Sequence, residues 1–414
     1  MSMPSEKIMP TEKPGPTKKP TPSLALFTYG FRPFFICAGA YGVLSVFLWG
    51  LAYPGWITLD PGISLPAWHA HEMIFGYTAA VICGFFLTAV PNWTGVVRLH
   101  GLPLAGLVTL WVLGRVAPWV DGPAHFLFSL ADMALLPLTA LWVASAIWQV
   151  KVWKHLIPLA LLLLLAAANI FEHLGFSDRF TDGNALGRSL GVDTVILMIV
   201  LIGGRILPTF TRSALATQGA GDHIRSDGPF DKLAILSVFL VLLLDAGEVL
   251  AGGLAFPAAI AALIAAGLVG FRLRGWRTLE TLNQPILWSL HLGYVWIVIG
   301  LGLKGLAFFI DALPAATALH ALTIGAIGGM TLAMISRVAL GHTGRALVTP
   351  RSTTAAYILV SVAALTRLAA PLAPENAYVD MIALSGIFWC LAFAIYTIVF
   401  APILARPRPD GRPG

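Results

Sequence analysis

The sequence predicts an all-α fold, a polytopic membrane helix bundle of about twelve transmembrane helices with both termini cytoplasmic. Three observations carry that expectation. Of the 414 residues, 57% are hydrophobic and 11% charged, whereas a soluble domain carries roughly 25% charged residues. The apolar residues gather in runs long enough to cross roughly 30 Å of hydrocarbon. The basic residues behind the formal net charge of +6 are scattered over short gaps between those runs, which argues against a nucleic-acid partner, since such proteins gather their cations on one element.

Taken in order, residues 1–23 are rich in Pro, Lys, Ser and Thr and lack an apolar stretch, so they read as a disordered cytoplasmic tail rather than a cleavable signal. A single transmembrane domain is expected over 24–405, with a short cytoplasmic tail at 406–414. Its first six spans are expected near 33–53, 68–90, 103–119, 124–148, 155–174 and 186–208. The second six are expected near 231–253, 255–271, 286–310, 315–340, 354–371 and 377–404, with the least distinct division between the seventh and eighth. Between the halves, 209–231 holds Arg212, Asp222, Arg225, Asp227 and the turn-forming Gly228-Pro229, and reads as a polar linker. With the N-terminus inside, about nineteen of the 26 basic residues fall on the inner side and about two outside, as the positive-inside rule requires. Cys37, Cys83 and Cys390 lie within apolar runs and form no C-x-x-C, so nothing supports a disulfide framework, a zinc ribbon or covalent haem attachment.

The predicted topology gives each intramembrane polar residue a depth, and the result is lopsided toward the outer side. His69, His71 and Glu72 open the second helix there, Glu172 and His173 close the fifth, and His320 lies about one turn into the tenth. Asp132, Asp193, Asp245 and Glu248 sit in outer halves, with Arg115, Lys304 and Arg367 near outer ends, whereas His291 lies toward the inner side. Ionisable groups in lipid are costly and normally line a site or pathway. Imidazole is the usual protein ligand of haem iron and suits copper, and bundles build cofactor sites from facing helices.

Helix geometry restricts the Trp68-His69-Ala70-His71-Glu72-Met73 run. Residues two apart point roughly 200° away from each other, so His69 and His71 cannot face one metal unless the helix begins between them. In a continuous helix His69 shares a stripe with Glu72, Met73, Gly76, Ala80 and Cys83, while His71 serves a second site or the water boundary. Gly325, Gly328 and Gly329 after His320 leave room for a cofactor or another helix. Plainer readings stand beside these: His173 and His342 as boundary anchors, the small-residue stripes as packing faces, and Asp193 and Glu248 as solvated acids. Arg115 and Arg367 either pair haem propionates or snorkel to the interface.

Three motifs carry a family resemblance: Gly30-Phe31-Arg32-Pro33-Phe34-Phe35, Trp68-His69-Ala70-His71-Glu72-Met73-Ile74-Phe75-Gly76 and Ala89-Val90-Pro91-Asn92-Trp93-Thr94-Gly95. With Gly114-Arg115, Gly204-Arg205-Ile206-Leu207-Pro208, His320-Ala321-Leu322 and the stretch from Ser336 to Arg345, the chain resembles the NnrS family over nearly its whole length. That resemblance implies a bacterial inner-membrane protein associated with haem and copper, with denitrification and with resistance to nitric oxide. It makes His69, His71 and His320 the leading cofactor and metal ligands, with His173, His291 and His342 behind them. A looser likeness to haem-copper oxidases, which hold haem near the outer ends of their second and tenth helices, breaks at the sixth and seventh. There the copper-binding histidines are missing and Asp193, Asp245 and Glu248 stand instead.

The expected function is therefore a membrane protein with haem b, and copper as a second candidate, that binds or transforms nitric oxide near the periplasmic face. In an enzymatic version, a nitric-oxide-reactive oxidoreductase, Glu72 is the first candidate proton donor; the sequence names no electron donor. Two other classes stay open: a transporter of metal, haem or a small molecule, and a non-catalytic haem-binding sensor or assembly factor.

Overall fold

In lipid no backbone amide can be left to water, so long apolar runs must coil into helices. The computed structural model describes residues 25–216, 224 and 228–412, and among these residues twelve helices are long and apolar enough to cross a membrane. They are α1 (Phe31–Ala52), α2 (Leu65–Thr94), α3 (Leu102–Trp119), α4 (Gly122–Val150), α5 (Trp153–Phe176) and α6 (Gly183–Ala216), then α7 (Pro229–Ala251), α8 (Ala255–Trp276), α9 (Pro285–Leu306), α10 (Ala315–His342), α11 (Arg351–Leu372) and α12 (Glu375–Ala405). The chain is an all-helical, multi-pass membrane protein. Residues 1–23, together with Asp222, Arg225 and Asp227 of the expected linker, lie outside the described residues. The linker is shorter than expected, because α6 runs on to Ala216 and α7 starts at Pro229, with Asp231 in its first turn. The indistinct division between the seventh and eighth spans is made by Gly252 and Gly253, both at positive φ that only glycine adopts at low cost.

The helices form a closed bundle in which α12 packs against α1 and α4 against α5. At its centre stand α2, α6 and α10, whose apolar windows are 83, 78 and 72% buried. These three also contain π-helical turns, at Glu72–Thr78, Ile199–Gly203 and Ala321–Gly328. Such turns widen the helix and re-aim the side chains that follow, which is why they recur at functional sites. The widened backbone of α2 is held from outside: Trp111 Nε1 donates to the Gly76 carbonyl at 2.9 Å, and the Tyr77 hydroxyl lies 2.5 Å from Thr331 Oγ1 of α10.

The first and last quartets of helices repeat one design. In α2 the π turn follows His71 and in α10 it follows His320. The same number of residues then leads to Thr94-Gly95 and to Thr343-Gly344, where both glycines close the helix at positive φ. The third helix of each quartet carries an arginine in its last α-helical turn, Arg115 or Arg367, before a 3₁₀ turn of Ala, Pro and a large apolar residue, Ala117–Trp119 or Ala370–Leu372. We call the end of the bundle where the even-numbered helices begin the upper end; it carries both histidines and both arginines.

Candidate functional site

Two polar centres lie at the upper end, on opposite sides of α2. The first is a cavity of about 790 Å³ bounded by α1, α2, α6 and α9 to α12, within the roughly 300–1,000 Å³ range of small-molecule and cofactor sites. His69 and His320 both line it. The His69 ring stacks on Trp49 at 4.4 Å between centroids, with 19° between planes, and its Nδ1 is buried without a hydrogen-bond partner among the described residues. His320 Nδ1 lies 2.7 Å from the Ala316 carbonyl one turn back. A carbonyl only accepts, so Nδ1 carries the proton and Nε2 keeps its lone pair. Arg367 also lines the cavity; it is 9% exposed, and its Nη1 has no hydrogen-bond partner among the described residues. Lys304 and Asp193 stand on another wall 3.7 Å apart, and Lys304 also pairs with Asp245.

The second centre is built by His71, which lies on the face of α2 away from His69. Its Nε2 lies 3.3 Å from Asp132 Oδ2 of α4, and its Nδ1 lies 3.2 Å from Glu172 Oε2 of α5. His173 Nε2 reaches the same Asp132 oxygen at 2.9 Å, and Asn169 Nδ2 donates to it at 3.1 Å. The other Asp132 oxygen accepts from Arg115, which also donates to Glu72 Oε2; Tyr41 Oη donates to that Glu72 oxygen at 2.6 Å. Glu72 and Glu172 are fully buried, and in each Oε1 has no hydrogen-bond partner among the described residues. Phe75 and Phe176 pack on the His71 ring and seal this centre in apolar surroundings.

The structure thus brings two of the expected ligands, His69 and His320, to one cavity and separates His71 from them. His71 meets His173 instead, with ring centroids 5.1 Å apart. His291 belongs to neither centre: its Nε2 lies 2.9 Å from Thr211 Oγ1 and its Nδ1 3.0 Å from Thr278 Oγ1, near the lower ends of α6 and α9. Glu72 faces α1 and α3 and is not part of the cavity wall. The ideal-helix angle puts it roughly 60° from His69, and that angle is enough to place it before different neighbours.

Arg115 and Arg367 do not snorkel to the interface, being 7% and 9% exposed. The space left by Gly76 is filled by Arg115, Glu72 and Tyr41, and that beside Gly325 and Gly328 by Trp296 and Trp389, so these small residues serve side-chain packing. Glu248 accepts the Leu254 amide at 2.5 Å, at the turn between α7 and α8. Trp49 was not among the expected site residues. Nothing in its surroundings marks it, and only the crossing of α1 over the start of α2 places it on His69.

No curated protein matches the chain. The family model of the NnrS protein matches residues 25–408, which takes in both polar centres and every membrane helix but the tails outside them. On that match the chain belongs to the NnrS family.

Proposed function

We propose that this chain is a membrane haem protein, with copper as a second candidate cofactor, that binds nitric oxide in the cavity at its upper end, and that this end faces the periplasm across a bacterial inner membrane. Membership of the NnrS family supports a haem- or metal-associated membrane protein connected with nitric oxide. The observation that carries the finer reading is the pairing of His69 and His320, from separate central helices, on one largely apolar cavity together with the buried guanidinium of Arg367, whose Nη1 has no hydrogen-bond partner among the described residues.

The residues fit the group. His69 has an orphaned ring nitrogen, and His320 keeps a free lone pair on Nε2. Arg367 offers a cation suited to a carboxylate of the macrocycle edge, and Trp49 holds the His69 ring by stacking. Haem iron, when bound, supplies the centre that takes a diatomic ligand. The chain's residues would hold it, orient it and exclude water. Nitric oxide partitions into lipid, so it needs no polar channel. Reduction to nitrous oxide would further require electrons, two protons and two substrate molecules. Glu72, expected as proton donor, is turned toward Arg115 and Tyr41, so it would have to act through them.

The test is to purify the full chain in detergent after expression with ample haem. Oxidised, dithionite-reduced and nitric-oxide-treated spectra are recorded with pyridine haemochrome analysis, for wild type, His69→Ala, His320→Ala and His291→Ala. A b-type spectrum that shifts with nitric oxide, is lost in the first two variants and survives in the third is the expected result. A haem-free wild type refutes the reading and moves transport to the front.

A further inference from the structure

We infer that His71, Asp132 and His173 form a binding site for one divalent first-row transition-metal ion, separate from the cavity that holds His69 and His320. Offered ligand atoms of these three residues all lie within 4.8 Å of one another. His71 Nε2 and His173 Nε2 stand 3.3 and 2.9 Å from Asp132 Oδ2. Donors bound to such an ion at roughly 2.0–2.2 Å are separated by about 3 Å or a little more, so a small closure around a cation suffices. Two imidazoles and a carboxylate are a donor set that first-row ions accept with a position to spare.

Two further observations point to a cation. The first is orientation: a metal-bound imidazole is usually held from behind by a carboxylate on its other nitrogen, and Glu172 Oε2 stands there, 3.2 Å from His71 Nδ1. The second is charge. Glu72, Asp132 and Glu172 are three carboxylates with side chains no more than 2% exposed, and the one buried guanidinium among them, Arg115, pairs with Glu72 and Asp132. Arg188 reaches Glu172 Oε1 only at 3.9 Å, from a side chain 37% exposed. With both imidazoles neutral, as metal ligation requires, one to two negative charges are left over at this centre, and uncompensated buried charge is among the most costly features a fold can carry. A divalent ion held by His71, Asp132 and His173 supplies that charge.

The inference does not rest on haem, and its test is separable. Full-length protein in detergent is stripped with chelator and dialysed against Zn(II) or Co(II), and bound metal per chain is measured. X-ray absorption of the Zn(II)-loaded wild type reads the imidazole count without any variant. Expected are one tightly held ion with two imidazole ligands, an affinity loss of at least a hundredfold in His173→Ala and Asp132→Asn, and a loss of about ten- to a hundredfold in Glu172→Gln. The variant His69→Ala/His320→Ala keeps the ion even though it empties the proposed haem cavity. A wild type that takes up no ion overturns the inference. An ion that survives His173→Ala and Asp132→Asn, or shows no imidazole ligands, overturns it as well.

Discussion

Arg115 is the residue whose loss tests the reading of the buried cluster most directly. In Arg115→Gln the side chain keeps most of its volume and loses its charge. Asp132 still has His71, His173 and Asn169 as partners, but Glu72 is left with the Tyr41 hydroxyl alone. A fully buried carboxylate in that position must stay ionised without a cation or take up a proton. Either outcome is costly, and removing one partner of a buried ion pair typically loses roughly 3–5 kcal/mol. Because the penalty belongs to the stranded charge, removing the charge should relieve it: Arg115→Gln/Glu72→Gln is expected to regain about 2–3 kcal/mol relative to the single variant. The assay is reversible unfolding in mixed micelles by titration with a denaturing detergent, with all variants metal-free. A loss below about 1 kcal/mol for Arg115→Gln, or a double variant no more stable than the single one, would refute the account, since either means that Glu72 is solvated or neutral in the native protein.

Three other perturbations follow from the same geometry. His291→Ala should leave any cofactor spectrum intact yet lower stability by about 1–3 kcal/mol, because Thr211 and Thr278 lose a buried partner; loss of the spectrum in this variant would contradict its placement. Arg32 donates to the Leu404 and Arg406 carbonyls at 2.6 and 2.7 Å, tying α1 to the end of α12, so Arg32→Met should open the chain beyond residue 400 to limited proteolysis while the core stays folded. Arg367→Gln should weaken haem retention at least tenfold, measured by transfer to apomyoglobin, and should raise the stability of the haem-free protein, because no carboxylate among the described residues pairs with this buried guanidinium.

Length, count and order of the helices were legible because lipid makes them so: an apolar run of sufficient length has one way to satisfy its backbone. Depth was legible too, since alternation of spans assigns each residue an end. The pairing of His69 with His320 could be anticipated from depth alone, and the parting of His69 from His71 from the helical angle. What sequence could not supply was the neighbour. Glu72 lies between the two histidines around α2, and whether it joins the cavity or the cluster depends on where α1 and α3 cross, which no local pattern encodes. Arg115 and Arg367 looked alike as cations near helix ends, where snorkelling is the usual outcome. Both are buried because their partners, or the space for one, come from helices distant in sequence. The π turns were equally hidden, since glycine-rich stretches such as Gly325 to Gly329 serve close packing in many bundles.

The repeat between the first and last quartets sharpens what the two arginines do. Arg115 and Arg367 lie in the last turns of corresponding helices before similar 3₁₀ turns, and each stands beside a central helix in which a histidine precedes a π turn. In the first quartet the residue after that histidine is Glu72, and with Asp132 it satisfies Arg115 within the protein. In the last quartet the residue after His320 is Ala321, and no carboxylate reaches Arg367 among the described residues. The design is thus completed by the chain's own acids in the first quartet and by no carboxylate of the described residues in the last. A buried guanidinium without a counter-charge is as costly as a stranded carboxylate, so an anion brought by a ligand is the economical completion of the second copy. That requirement is independent of the histidines, and it selects, among apolar molecules that fit the cavity, those that carry an acidic edge.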